Sequence, residues 1–211
     1  MIWMYAVSAL CLFVCMPLYI HYKQALRLNL AVAYKALGTL CAVSMALIAS
    51  IRLDPHCWVC FAALLLHAAA DVLLEYNVYL GAGFFLAGHI CYIAFFTNLF
   101  PVTAVHLIVF AGLLVIVAVC FWRWRKSIGK QMPMFVVYAV VLAAMAACAI
   151  GGLTANTLRG QLTAIAGALF FISDALVLGR LLFAADRSVD WAIMILYYGA
   201  QLLIGASCLI Q

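Results

Sequence analysis

Two aspartates stand where a carboxylate is costly. Asp71 follows Leu64-Leu65-Leu66-His67-Ala68-Ala69-Ala70, and Asp174 follows Gly167-Ala168-Leu169-Phe170-Phe171-Ile172-Ser173. A charge in a membrane-embedded run costs on the order of a few kcal/mol, so a carboxyl kept there is a functional candidate and faces the interior of a helix bundle. Its chemistry is that of a proton donor, a proton acceptor or a fixed anion. The same reasoning selects Lys35, His67, His89, Arg180 and Gln201. Helical spacing then groups them, because positions i, i+4 and i+8 share a face. His67, Asp71 and Glu75 form one stripe, Phe85, His89 and Tyr92 a second, and Tyr197, Tyr198 and Gln201 a third. Such stripes describe one polar pocket with aromatic walls. Other side chains read more plainly. Lys35 and Arg180 lie near enough to an interface to snorkel, His67 reads as a helix–helix hydrogen bond, and Glu75, at a helix end, reads as solvated. Cys57 and Cys60 have CxxC spacing without a βαβ context or a second ligand pair, a weak basis for redox or zinc chemistry. A Walker loop, a GxSxG elbow and an HExxH helix are all missing from the sequence, which removes the common ATPase, serine-hydrolase and zinc-protease readings.

The elements that must position these residues follow from composition. Of 211 residues, 71% are hydrophobic and 8% charged, against about half and about a quarter in a soluble domain. This is the composition of an integral membrane protein. The net charge of +5 is too thinly spread to form the basic stripe that nucleic acid needs. Nine cysteines fall mostly inside apolar runs, where a thiol acts as a small hydrophobe, and no disulfides are expected. The first apolar run has neither a basic leader nor a small-residue cleavage site and reads as a retained helix.

A helix crosses the hydrocarbon core with roughly 20 apolar residues. Polar punctuation cuts the chain into eight such stretches, near 2–20, 30–50, 57–75, 79–99, 102–122, 133–151, 161–184 and 189–210, forming an all-α polytopic bundle that is a single transmembrane domain over 1–211. Seven basic residues, Lys23, Arg27, Arg123, Arg125, Lys126, Lys130 and Arg187, fall in loops on one side, and two, Arg52 and Arg159, on the other. The first side is therefore expected to be cytoplasmic, which leaves both termini outside and opens the pocket toward the inner leaflet. Ala70-Asp71-Val72-Leu73-Leu74 echoes Ser173-Asp174-Ala175-Leu176-Val177 four helices later. The echo suggests two parallel four-helix halves, each giving one carboxylate to a site at their interface.

Lys35, His67-Ala68-Ala69-Ala70-Asp71 and Gly81-Ala82-Gly83-Phe84-Phe85-Leu86-Ala87-Gly88-His89-Ile90-Cys91-Tyr92 resemble the YhhN and TMEM86 family of lysoplasmalogenases. So do Gly167-Ala168-Leu169-Phe170-Phe171-Ile172-Ser173-Asp174 and Tyr197-Tyr198-Gly199-Ala200-Gln201. The resemblance spans roughly residues 30–207 and departs from the family's pattern at Ala36 and Ala70, where proline and glycine are usual. It implies an eight-helix hydrolase that cleaves the vinyl ether of a lysoplasmalogen to a fatty aldehyde and glycerophosphoethanolamine or glycerophosphocholine. It implies no metal or other cofactor, and as partners only the lysophospholipid substrate and membrane lipids. The bond accepts a proton at carbon to give an oxocarbenium ion, so Asp71 and Asp174 are expected to divide the roles of acid and anion as glycosidase carboxyls do. Lys35 and Arg180 would hold the phosphate, and His89, Tyr92, Tyr197, Tyr198 and Gln201 would line the substrate site. His67, one turn from Asp71, would keep it ionised, while the phenylalanines before Asp174 would favour that residue as the acid. A bacterial inner membrane is the expected location. The rival reading is a proton-coupled transporter or lipid-binding protein using the same carboxylates.

Overall fold

The computed structural model describes residues 2–183 and 187–210, with the backbone alone at Arg187. Met1, residue 184, where the seventh expected span ends, and Gln211 lie outside the described residues. Within them the chain folds into helices and no strand. We number the long helices α1 (Ile2–Gln24), α2 (Leu28–Arg52), α3 (Cys57–Tyr76), α4 (Val78–Leu99), α5 (Ala104–Ile128), α6 (Met132–Gly151), α7 (Leu158–Leu182) and α8 (Arg187–Ser207).

Seven described segments are long and apolar enough to cross a membrane, where eight were expected. The difference is the 52-residue stretch Ala104–Ala155, which counts as one segment. It holds both α5 and α6, separated by a three-residue 3₁₀ turn at Gly129–Gln131. Gly129 makes that turn with φ of +60°, a conformation that costs glycine little, and Pro133 follows in the first turn of α6, where no amide donor is missed. α5 also runs further than expected. Arg123, Arg125 and Lys126 are on its last turns and not in a loop, since long basic side chains can leave an apolar helix toward water.

Local chemistry sets the other ends. α1 passes through a π turn at Cys11–Cys15. Pro17 follows it, and a proline ring would clash with the carbonyl four residues earlier in a regular helix. α3 turns into α4 through a single residue, Asn77, whose side chain accepts from the amides of Tyr79 and Leu80. So tight a hairpin requires Gly81, because a Cβ there would lie 2.6 Å from the backbone nitrogen of Leu74. Thr157 caps α7 by accepting from Gly160 N–H at 3.1 Å.

Each helix packs on the next, apart from α4 and α5, and two further pairings close the bundle: α4 on α6, and α2 on α8. Small residues form the seams, as expected where van der Waals contact must hold helices together in lipid. Ala42, Ala46, Ala63, Ala143 and Ala146 are wholly buried. Gly167 lies so close to α6 that a Cβ would come within 2.6 Å of the Ala149 methyl. Alternating helix direction places the 25–27, 77 and 129–131 connections at one end. Tyr76 hydrogen-bonds Asn29 there and Gln131 hydrogen-bonds Tyr79. At the opposite end Arg159 pairs with Asp54, and buried Cys57 sits against the Cys208 carbonyl.

Candidate active site

Near the end that carries most of the basic residues, the helices enclose a cavity of about 700 Å³ whose wall is mostly apolar and includes both Asp71 and Asp174. Asp71, on α3, is fully buried. Its Oδ2 accepts hydrogen bonds from the hydroxyls of Thr39, on α2, and Tyr197, on α8, the latter at 2.8 Å. Its Oδ1 is buried without a hydrogen-bond donor among the described residues and lies 3.7 Å from Lys35 Nζ. Lys35 also donates to Glu75 Oε1 at 3.0 Å, and Tyr19 OH donates to the same oxygen at 3.1 Å. The lysine does not reach for water: its side chain is 7% exposed. Glu75, expected to be solvated, is an ion-pair partner within this network, and the reason is Lys35 facing it from α2.

Asp174, on α7, meets different groups. Tyr138 OH, on α6, donates to its Oδ2 at 2.6 Å, and His89 Nε2, on α4, lies 3.4 Å from that oxygen and 3.2 Å from the tyrosine oxygen. The other ring nitrogen of His89, Nδ1, is buried with no partner among the described residues. The two aspartate sites are built alike. Lys35 and Tyr138 each stand 36 residues before the aspartate they serve, on the helix directly before it, α2 before α3 and α6 before α7. A second partner then comes from the far side of the bundle, Tyr197 to Asp71 and His89 to Asp174.

The expected partner of Asp71 is not where helical spacing put it. His67 Nδ1 lies 2.9 Å from Gln201 Nε2 and its Nε2 lies 3.3 Å from the Phe85 carbonyl. One acceptor and one donor make the pattern of a neutral ring, so Lys35, not an imidazolium, supplies the cation beside Asp71. Nor does the phenylalanine run single out Asp174 for desolvation. Phe170 packs on His67 at 5.2 Å and on Tyr197 at 5.6 Å, and the Asp174 side chain is 12% exposed against 1% for Asp71.

Of the other singled-out residues, Lys35, Glu75, Phe85, Arg180 and Tyr197 line the cavity with the two aspartates. His89, Tyr92, Tyr198 and Gln201 stand behind its wall. Tyr92 OH donates to Gln201 Oε1 at 2.8 Å, and Tyr198 OH donates to the Lys35 carbonyl at 2.9 Å, which braces α8 against α2. Arg180, at the mouth, pairs with Asp190 at 3.3 Å, and Lys23 lies 3.7 Å from the same carboxylate. Spacing along the chain missed Thr39, Tyr138, Lys23 and Asp190. For Tyr138 a signal existed, since it stands to Asp174 as Lys35 does to Asp71. Cys57 and Cys60 are buried in the core at the opposite end.

A model described as the YhhN family matches residues 30–208. No curated protein matches the chain, and no solved structure does. The matched stretch takes in nearly all of α2 and the whole of α3 to α8, with both aspartates and every site residue described in this section except Tyr19 and Lys23 of α1. With most of its length covered, this membrane protein belongs to the YhhN family.

Proposed function

We propose that this protein is a lysoplasmalogenase that crosses the membrane eight times, the Ala104–Ala155 segment twice, as two parallel four-helix halves. The observation that carries the reading is the placement of two carboxyls on one apolar cavity, each with a different set of partners. Vinyl ether hydrolysis needs an acid and an anion. Asp71, with a lysine and two hydroxyl donors around it, holds the negative charge. Asp174, which meets a tyrosine and a histidine and, among the described residues, no lysine or arginine, is the acid.

In this scheme the Asp174 carboxyl gives its proton to the β-carbon of the vinyl ether, and the π electrons form the new C–H bond. The resulting oxocarbenium ion is stabilised by the Asp71 carboxylate, whose Oδ1 has no hydrogen-bond donor among the described residues. Water adds to the cationic carbon and loses a proton, which returns to Asp174 with His89 and Tyr138 at hand to relay it. The hemiacetal then collapses: Asp174 protonates the glycerol oxygen as its bond to carbon breaks, the hydroxyl oxygen forms the carbonyl and its proton returns to Asp174, and aldehyde and glycerophospho-alcohol are released. General acid catalysis of this kind contributes roughly 10²–10⁴-fold. Arg180 and Lys23, at the mouth, are the residues placed to exchange Asp190 for the substrate phosphate. Lys35 acts on Asp71.

Purified protein incubated with a lysoplasmalogen should release free aldehyde. Asp71→Asn and Asp174→Asn should each lower kcat by at least about a hundredfold, and the double variant should be little worse, because groups acting as a unit are not additive. Near-normal aldehyde release by folded single variants would end the proposal and leave the carboxyls to proton carriage.

A further inference from the structure

The bundle is closed on one side and open on the other. α1 packs against α8, whereas α5 packs on α6 and makes no comparable contact with α4. The cavity extends into the gap thus left. Tyr79, Ala82 and Gly83 of α4 form one wall there, and Val117, Cys120 and Phe121 of α5 the other. Gly83 is the thin point: a Cβ added to it would meet nothing within 4 Å, and a groove on the outer surface, lined also by Leu80 and Phe84, shares Gly83 and Tyr79 with the inner cavity. At the end of the gap, Gln131 Nε2 donates to Tyr79 OH at 2.9 Å, tying α4 to the turn between α5 and α6. What remains open faces sideways, between two segments long and apolar enough to cross a membrane.

We propose that the gap between α4 and α5 is a lateral port that admits one hydrocarbon chain of a membrane lipid, tail along α5 and polar end at Asp71 and Asp174. Three features argue for that occupant. The walls of the gap are apolar, the gap is continuous with the candidate site, and the space suits a single chain. A chain of about sixteen methylenes, each near the roughly 30 Å³ of a water molecule, takes up about 500 Å³. One such chain with a small polar end fits a cavity of about 700 Å³. The chemistry at the polar end rests on the lysoplasmalogenase reading; the port itself does not depend on turnover.

The test uses the full chain in lipid nanodiscs and an acyl lysophosphoethanolamine bearing a diazirine near the end of its chain. After irradiation, mass spectrometry of the peptides should find label on residues 79–86 and 116–124, displaced by unlabelled lysophosphoethanolamine. Gly83→Trp should reduce that labelling by about tenfold. Label confined to the α1 and α8 face, or undiminished by Gly83→Trp in folded protein, would overturn the port. If the variant does not fold, the position of the label on the parent protein decides. Labelling at the port without any aldehyde release would support the port and defeat only the hydrolase reading, and aldehyde release with the label elsewhere would do the reverse.

Discussion

Lys35 serves two carboxylates from a position almost closed to water, and this makes it the residue on which the site's charge balance turns. Removing one partner of a buried ion pair strands the other, at a cost of about 3–5 kcal/mol. Lys35→Gln should therefore lower thermal stability in a fixed detergent markedly. Adding Glu75→Gln should recover part of the loss, because one stranded charge is gone. A lysine that merely snorkelled would show neither effect, so unchanged melting in the single variant would overturn this account. The two aspartates were legible in the sequence because hydrocarbon penalises carboxylates whatever the fold. Their partners were less so. Glu75 ends a helix, where water is the default neighbour, and only the approach of Lys35 from α2 changes that. Thr39 and Tyr138 are residues that apolar helices commonly carry for packing, and nothing local sets them apart. His67 misled because sharing a helix face with Asp71 permits a contact without requiring one; Gln201, more than a hundred residues away, competes for its ring.

At the scale of elements, composition and run length marked an all-helical membrane chain, with seven described segments long and apolar enough to cross where eight were expected. The uncertain places were the ends, where α5 extends through its arginines and a 3₁₀ turn replaces a loop before α6. Ends are also where the bundle is fastened. Asp54, between α2 and α3, accepts from His56 and pairs with Arg159 at the start of α7. Burial opposes its charged form, but the His56 amide and ring and the Arg159 guanidinium outweigh that and hold the carboxyl below its ordinary value. A carboxyl depressed in the folded state stabilises the fold above the unfolded value of about 3.9, and the contribution disappears as pH falls through the lower folded value. Asp54→Asn should accordingly melt earlier than the parent near neutral pH, by no more than about 1 kcal/mol for so exposed a group. The two melting curves should converge in acid. A difference that persists or grows below about pH 3 would show that the residue acts through something other than its charge.

Across the whole molecule, a five-residue echo around the aspartates was the sign of internal repetition read from the sequence, and the contacts repeat on a larger scale. α4 meets α6 as α8 meets α2, and each aspartate takes one partner from the helix before it and one from across the bundle. The repeat is broken at the α4–α5 gap, which no periodicity in the sequence announced. Orientation in the membrane follows from a different asymmetry. The residues that line the cavity come from the ends of helices near Lys23, Lys126 and Lys130, the side with seven loop or helix-end basic residues against two. Such an excess is retained on the cytoplasmic side, so we propose that the mouth of the cavity meets the inner leaflet and that both termini lie outside. A fluorescent protein that matures only in the cytoplasm should stay dark when fused to the C-terminus and become bright when the chain is truncated and fused after Lys130. The reverse pattern would turn the mouth outward. Arg180, Lys23 and Asp190 would then face outer-leaflet lipid, and a substrate made on the cytoplasmic side would have to cross the membrane before its headgroup reached them.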